Sequence, residues 1–369
     1  MALIDTTLRD GEQAPGVYFP FSAKLAIAEQ LTELGIEELE IRSPVQDVQE
    51  QEVLRGLMHA RPQTQWLVWC RARKDDLDVA ARLGATRVHI AYPTSDVQLA
   101  TIGADWQSTL ALLEPIVKNA LQQFAYVSVG AQDASRTPTE RLISYAQALQ
   151  SWGVRRMRIA DTLGVMTPDL VTRLVLTLRA SAPHLDLEFH GHNDFGLATA
   201  NTYAALEAGA TFASATVLGL GERCGNASLE QLVMLMIRNH PQQASGLFPE
   251  VIARLCDLVS KLAHKDISPQ QPLVGRDAVL HQSGIHIAAM LQDPSSYQPY
   301  DPQTIGRDTP EFLVGAMTGR HAIRHVLESQ GLSAQANQLA TFVMTVKDQV
   351  KALGRDLSFS EVAELYTHR

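Results

Sequence analysis

Hydrophobic and polar positions along the first 245 residues follow two alternating patterns. Short apolar runs typical of buried strands are each followed by a longer segment in which apolar residues recur every three or four positions, as on one face of a helix. This order, repeated eight times over roughly 250 residues, predicts an α/β fold, a (β/α)₈ TIM barrel. The strand candidates are Ala2–Asp5, Glu38–Ile41, Gln65–Cys70, Arg87–Ala91, Ala125–Val129, Arg156–Ala160, Asp186–His190 and Ala213–Leu218.

The first helical segment carries typical start and stop signals. Ser22 belongs to the residue types that cap helix N-termini, and Gly35 to those that follow a helix C-terminus. One apolar stripe lies between them, formed by Leu25, Ala28, Leu31 and Leu34. Similar helix candidates are Asp105–Gln122, Thr139–Trp152, Pro168–Ala180, Leu197–Ala208 and Leu229–Arg238.

Polar residues recur just after many of the predicted strands. Active sites of TIM barrels lie at the C-terminal ends of the strands, which favours the barrel over the structural alternative, an open doubly wound sheet. The polar residues in question are Arg9, Asp10, Arg71, Gln132, Asp133, Asp161, Thr162, His192, Glu222 and Asn226.

The alternation stops after about residue 245, so the catalytic barrel is predicted to span 1–245. A helical pattern over Phe248–His264 leads into a segment rich in Pro, Gln, Gly and Ser, a composition typical of long functional loops. We therefore predict a linker and lid segment over 246–310. Helical patterns, including Gln335–Leu353, predict a small helical C-terminal domain over 311–369.

Composition narrows the class of protein further. The chain has 369 residues, 46% of them hydrophobic, and a net charge of −9 without a run of basic residues, which argues against a nucleic-acid partner. It shows neither an apolar stretch long enough to span a membrane nor a leader peptide. The cysteines are three and scattered, without a CxxC pair. These features predict a cytoplasmic protein with reduced thiols.

Two histidines and an acid form a candidate metal site. His190 and His192 are two positions apart at the end of a predicted strand, so both rings point to the same side. Asp10 follows the first strand, and one carboxylate with two imidazoles is a plausible divalent-metal set with open positions for a substrate. The plainer alternatives are polar residues at a strand end and, for Arg9 beside Asp10, a surface salt bridge.

Two further segments carry candidate residues. Residues 219–226 (GLGERCGN) have the spacing GxGxxxG after the last strand, which excludes a dinucleotide-binding loop, whereas Asn226 offers a neutral oxygen to the metal. His286 and Tyr297 lie in the loop-rich segment, and such a pair can move protons. A structural role for His286 is the alternative.

Taken together, these motifs resemble a known family. DTTLRDGEQAPG at the start, ADTLG, HGHND and GLGER followed by GN are similar to the metal-dependent acyl-CoA condensing enzymes, which are the homocitrate, 2-isopropylmalate and citramalate synthases. The resemblance covers residues 2 to about 365. Within the family, segments such as FGLATANT look most like the homocitrate synthases of nitrogen fixation, and we expect no C-terminal feedback domain of the kind that typical isopropylmalate synthases carry.

The resemblance implies an acyltransferase that joins acetyl-CoA to 2-oxoglutarate and hydrolyses the thioester. The metal, Mn²⁺, Mg²⁺, Co²⁺ or Zn²⁺, would be held by Asp10, His190 and His192, with Asn226 as a weaker ligand. Arg9 would stabilise the keto oxygen. The 2-oxo acid pocket would be lined by Gln13, Arg71, Gln132 and Thr162, and Arg71 would favour a distal carboxylate. His286 and Tyr297 would act from the partner subunit of a homodimer.

One departure from the family pattern concerns Gln132, where relatives usually carry glutamate. Glutamine keeps the shape and hydrogen bonding but cannot ionise. A non-catalytic protein that binds a 2-oxo acid or a metal is therefore one alternative. The others are a 2-isopropylmalate or citramalate synthase, and a C–C lyase on the same barrel, against which the predicted lid argues.

Overall fold

The computed structural model describes residues 1–308 and 312–368, which form two compact units divided between Asp266 and Ile267. The first unit includes the helical segment that follows residue 245. The expected boundary between 310 and 311 lies outside the described residues.

Eight parallel strands close into a barrel in the first unit, as the pattern predicted. Each strand pairs with the next, and the first pairs with the eighth from Ala2 opposite Phe212 to Asp5 opposite Ala215. This closure excludes the open doubly wound sheet. The strands are β1 (Ala2–Asp5), β2 (Glu38–Arg42), β3 (Gln65–Arg71), β4 (Arg87–Pro93), β5 (Tyr126–Gln132), β6 (Arg156–Asp161), β7 (Asp186–Gly191) and β8 (Phe212–Ala215).

Helices follow the strands around the barrel, and the helix candidates agree with the structure to within a few residues at each end. The helices of this unit are α1 (Phe21–Glu33), α2 (Val48–Ala60), α3 (Lys74–Leu83), α4 (Asp96–Thr101), α5 (Trp106–Gln123), α6 (Thr139–Trp152), α7 (Pro168–Ser181), α8 (Ala198–Glu207), α9 (Leu229–Asn239) and α10 (Ile252–Ala263).

The start of α1 differs from the prediction. Pro20, in an extended conformation, precedes the helix, so Ser22 lies within the first turn and does not cap it. The predicted stop is correct, since Gly35 follows the helix with a φ of +97°. A Cβ atom on Gly35 would lie 2.0 Å from the carbonyl oxygen of Gly246, so both backbone conformation and close packing require glycine there.

The eighth strand is shorter than predicted because the chain turns after Ala215. A 3₁₀ turn, Val217–Gly219, replaces the expected end of the strand, and Leu218 has a φ of +60°. Two side chains satisfy the backbone N–H groups that leave the sheet: Thr7 Oγ1 accepts from Val217 at 2.9 Å, and Glu230 Oε2 accepts from Leu218 at 3.0 Å. The turn is thus a hydrogen-bonded structure that directs the following loop towards the barrel mouth.

Charged side chains fill much of the barrel interior. Arg156 and Arg158 of β6 donate to Glu38 and Glu40 of β2, on the opposite side of the barrel. Glu188 of β7 accepts from Arg158 at 2.5 Å and contacts Arg156 at 3.0 Å. All five residues are almost completely buried, so the barrel is packed by paired ions as well as by apolar residues.

The second unit is mainly helical. Its helices are α11 (Gly284–Met290), α12 (Arg320–Ser329), α13 (Ala336–Leu353) and α14 (Phe359–Thr367). The last three surround an apolar cluster, defined here by Val314, Ile323, Val326, Leu327, Leu339, Phe342, Val343, Val346, Val350, Leu357 and Val362. None of the helices in the described part of the chain is long and apolar enough to cross a membrane.

Candidate active site

The loop after β1 folds back on itself and places Asp10 at the mouth of the barrel. The carbonyl oxygen of Thr6 accepts hydrogen bonds from the backbone N–H groups of Arg9, Asp10 and Gly11. His190 is the last residue but one of β7, and His192 directly follows the strand and forms an isolated bridge with Asn226 of the loop after β8. Backbone hydrogen bonds therefore bring all four predicted metal-site residues to one end of the barrel.

The three predicted ligands converge in space. Asp10, His190 and His192 each offer a ligand atom, and these atoms lie within 4.8 Å of one another. Asp10 Oδ2 is 3.1 Å from His190 Nε2, and the two imidazole rings meet edge to face at 5.0 Å between centroids. All three side chains are buried, which limits competition from water.

Unpartnered polar atoms at this site test whether a metal ion fits. Buried nitrogen and oxygen atoms nearly always have a partner, so several orphaned ones in one place indicate an ion. The Asn226 amide is oriented because its Nδ2 donates to the Leu220 carbonyl at 3.0 Å. The buried atoms without a partner among the described residues include Asp10 Oδ1, His190 Nδ1, His192 Nδ1 and Asn226 Oδ1. The residues fit a divalent cation with oxygen and nitrogen ligands.

Electrostatics keep the site in the protonation state that metal binding needs. Burial opposes ionisation of Asp10, but the positive charge of Arg9 and the hydrogen bond from His190 hold its pKa well below the ordinary range. Burial, reinforced by His190, lowers the pKa of His192 to about 4. At neutral pH the site therefore offers a carboxylate and a neutral imidazole, which are the ligating forms.

Arg9 is fixed beside the metal site from three directions. Its Nε donates to Glu40 at 2.6 Å, its Nη1 donates to Asp10 at 3.0 Å, and the guanidinium lies 5.7 Å from the centroid of the Trp69 ring. Nη2 has no hydrogen-bond partner among the described residues. The arginine is thus held in one orientation with one nitrogen left for a ligand.

A cavity of about 240 Å³ opens at this end of the barrel, lined by the three predicted metal ligands and by Arg9. Gln13, Gln132 and Thr162, which the resemblance assigns to the 2-oxo acid pocket, also line this cavity. Thr162 Oγ1 accepts the backbone N–H of Asp133 at 2.8 Å, so its hydroxyl hydrogen is available to a ligand.

Arg71 is placed differently from the expectation. Its side chain is about half exposed, and its guanidinium donates to Asp76 in the first turn of α3 at 2.9 to 3.3 Å. It does not line the cavity. The acid five residues further along the chain draws the arginine away from the barrel mouth.

His286 and Tyr297 belong to the second unit. The structure brings them together, with their rings stacked at 4.0 Å between centroids and an interplanar angle of 21°. Tyr297 is exposed, and His286 is partly buried.

Several cavity residues escaped the sequence analysis, above all His89 of β4 and Arg158 of β6. A signal was present, because polar residues at alternate positions interrupt otherwise apolar strands, as in Arg156 and Arg158. Arg223 also lines the cavity and forms two hydrogen bonds to Asp194, at 2.8 and 2.9 Å. This pair links the loops after β7 and β8.

The two units match two sequence families. A family described as HMGL-like matches residues 1–259, and one described as homocitrate synthase post-HMGL domain-like matches residues 273–354. Together the two matches extend over most of the chain.

Relatives match at nearly full length. Homocitrate synthase 1 of Nostoc sp. is 36% identical and covers 98% of this chain and 95% of its own. Homocitrate synthase of Frankia alni is 39% identical, over 89% of this chain and 93% of that protein. A 2-phosphonomethylmalate synthase of Streptomyces rubellomurinus is 34% identical, over 99% of this chain and 98% of that protein.

Solved structures show the same barrel at lower identity. Hydroxymethylglutaryl-CoA lyase from Pseudomonas aeruginosa superimposes with a TM-score of 0.63 and 22% identity, over 72% of this chain and 93% of that one. This likeness concerns the fold alone. Because the first family match covers more than half of the sequence and relatives above 30% identity cover nearly all of it, the chain belongs to the HMGL-like family, with a homocitrate synthase post-HMGL domain-like second unit.

Proposed function

We propose that this chain is a homocitrate synthase, which condenses acetyl-CoA with 2-oxoglutarate and hydrolyses the thioester to give homocitrate and free CoA. The observation that carries the proposal is the buried group of Asp10, His190 and His192 beside Arg9, with its unpartnered ligand atoms. Homocitrate synthases are also the named activity of two full-length relatives.

In the proposed site, Asp10, His190 and His192 hold a divalent cation, Mn²⁺, Mg²⁺, Co²⁺ or Zn²⁺, with Asn226 as a weaker ligand. When bound, that cation supplies Lewis acidity and a template for the 2-oxo acid. Arg9 Nη2 donates to the keto oxygen as negative charge develops on it. A donor held in place by Glu40 and Asp10 needs no reorganisation during the reaction, which makes such stabilisation effective.

The carbon–carbon bond forms once a base removes a proton from the methyl group of acetyl-CoA. The resulting enolate carbon attacks the keto carbon, the keto oxygen takes up a proton as it becomes a hydroxyl, and water then cleaves the thioester. We assign the proton transfer to His286 with Tyr297, whose stacked rings form a unit suited to it. In this proposal the pair acts from the partner subunit of a homodimer.

Gln132 is the feature that favours the non-catalytic alternative. It lines the cavity, and no hydrogen bond to its side-chain amide is present among the described residues. Replacing it by glutamate tests its role: if the missing acid limits the rate, Gln132→Glu should raise kcat by roughly tenfold or more, as positioned acids and bases commonly do. An unchanged kcat would show that Gln132 does not limit the reaction.

The relative named 2-phosphonomethylmalate synthase favours a second candidate, in which a different 2-oxo acid is the acceptor. One assay separates the candidates. The protein is mixed with Mn²⁺ or Mg²⁺, acetyl-CoA and one of several 2-oxo acids, namely 2-oxoglutarate, 2-oxoisovalerate, pyruvate and phosphonopyruvate, and the release of CoA thiol is measured. We expect release with 2-oxoglutarate. Release with another acid alone would transfer the assignment to that synthase, and no release with any acid would support the non-catalytic alternative.

A further inference from the structure

The barrel interior carries equal numbers of arginines and carboxylates in one connected chain. We call this chain the barrel ion network. Each neighbouring pair is in contact, and the network reaches Arg9 and Asp10 at the mouth. In spatial order its members are Arg87, Glu38, Arg156, Glu188, Arg158, Glu40, Arg9 and Asp10. Because its four arginines and four carboxylates cancel in formal charge, the network adds no net charge to the cavity.

Besides Arg9 and Asp10, Arg158 is the network member that lines the cavity. Its Nε donates to Glu188 at 2.5 Å and its Nη2 to Glu40, which fixes the plane of the guanidinium. Nη1 has no hydrogen-bond partner among the described residues, although the side chain is almost entirely buried and lines the cavity. A buried cation with one free donor is suited to an anionic oxygen.

His89 presents a second donor to the same place. Its Nδ1 lies 2.9 Å from Ser128 Oγ, and the only acceptor that Ser128 has among the described residues is this ring nitrogen. Ser128 Oγ also accepts a long hydrogen bond from Arg156 at 3.5 Å. With the Ser128 hydroxyl as the donor to Nδ1, the neutral ring carries its proton on Nε2.

Gly130 determines where that proton points. A Cβ atom on Gly130 would lie 2.8 Å from His89 Nε2 and 3.1 Å from Cε1, so Nε2 occupies space that only glycine leaves open. Both residues line the cavity. Burial and the neighbouring charges of Arg158 and Arg156 lower the pKa of His89 well below its ordinary value, which keeps the ring neutral.

We propose that His89 and Arg158 bind the distal acidic group of a dicarboxylic 2-oxo acid and thereby select it over acids with an uncharged tail. The inference rests on the proposed function, because that function places the 2-oxo group of the substrate at the site formed by Asp10, His190 and His192. The backbone of Arg158 is in register with Glu188, two residues before His190 on β7, which corresponds to about 6–7 Å along the strand from His190. An extended five-carbon diacid spans this distance.

The free hydrogen-bond donors explain the selectivity. A carboxylate at this position completes the hydrogen bonding of Arg158 Nη1 and His89 Nε2. A methyl group in its place would cover both donors and leave them unsatisfied, a cost that makes polar sites reject apolar analogues strongly. Arg71, the cation expected for this role, is paired with Asp76 outside the cavity.

The test compares 2-oxoglutarate with 2-oxovalerate, which has the same chain length and a methyl end. The variants are His89→Leu, which removes the donor, and Gly130→Ala, which displaces the ring. Gly246→Ala is the matched control, because nothing lies within 4 Å of a Cβ atom there. Both kcat/KM and the dissociation constant from calorimetry are measured for each acid in Mn²⁺.

For 2-oxoglutarate, we expect each variant to lower kcat/KM and to raise the dissociation constant by roughly 10- to 100-fold. For 2-oxovalerate, both quantities should change by less than about threefold, and the control variant should match the unmodified protein with either acid. Equal losses for both acids, or no loss, would overturn the proposal. The calorimetric arm separates it from the proposed function. If the unmodified protein prefers to bind 2-oxoglutarate, the variants lose that preference and none of the proteins turns over, the subsite is supported and the synthase activity is rejected. If the proteins turn over and the variants keep the same preference, the synthase activity is supported and the subsite is rejected.

Discussion

The interior of the barrel and the interior of the second unit are built from opposite kinds of side chain. The barrel ion network fills the first with paired charges, whereas the second is the apolar cluster around Phe342. Apolar packing is non-directional and tolerates substitutions of similar volume, but a buried ion needs its partner in one geometry. The barrel interior therefore fixes the orientation of individual donors, while the interior of the second unit holds helices together.

The largest expected effect falls at the mouth of the barrel. His192→Ala should abolish metal retention and lower turnover by roughly a thousandfold or more, because a polarising cation contributes several kcal/mol. Metal content by mass spectrometry and CoA release measure this. His184→Ala, an exposed residue just before β7, is the control. Normal turnover by His192→Ala would remove the metal hypothesis.

Next in size is the loss of one charge from the barrel ion network. Glu188→Gln leaves Arg156 and Arg158 without a shared counter-charge, and breaking a buried pair costs about 3–5 kcal/mol of unfolding free energy. Urea denaturation followed by circular dichroism measures it. Glu114→Gln breaks an exposed pair with Lys118 on α5 and should cost less than about 1 kcal/mol. If the two variants lose equal stability, the network has no special sensitivity.

The matching change in the second unit is Phe342→Ala. Phe342 is fully buried and packs edge to face on Tyr366 at 4.9 Å between centroids. Truncation to alanine should lower the free energy of unfolding by about 3 kcal/mol, which is at the lower end of the range for buried aromatic residues. It should leave Mn²⁺ binding unchanged. Met344→Ala, on the exposed side of the same helix, controls for helix effects. Loss of Mn²⁺ binding by Phe342→Ala would contradict the separation of roles between the two interiors.

A smaller, pH-dependent effect distinguishes paired acids in the barrel unit from an unpaired one. Glu230 is buried and has no cationic partner among the described residues, and burial raises its pKa from 4.5 to about 7. Between these values the unfolded chain releases a proton that the folded protein keeps, so stability falls as the pH rises. Glu230→Gln retains an acceptor for the Leu218 N–H, and because glutamine does not ionise, it removes the fall in stability with rising pH.

Glu230→Gln should therefore stabilise the protein by roughly 2 kcal/mol at pH 8 and by little at pH 5. Thermal unfolding at the two pH values measures the difference. The exposed Glu250→Gln serves as the control. Equal stabilisation at both pH values would mean that charge is not the cause.

The hydrophobic pattern alone determined the eight-strand barrel and the position of its mouth. Because side chains alternate along a strand, His190 and His192, two residues apart, were predicted to point to the same side of β7. The position of Asp10 just after β1 predicted that it lies at the same end of the barrel as the two histidines. These inferences succeeded because they depend on the alternation of side chains within single strands, a local property.

The tertiary structure decided the features that depend on distances between strands. Barrel closure joined β2 to β6 through their charges, Gly130 opened space for the His89 ring, and Asp76 drew Arg71 out of the cavity. The strand pattern carries no information on which charge on one strand meets which on another. That choice follows from the register around the closed barrel, which places Arg158 and His89 together at the cavity.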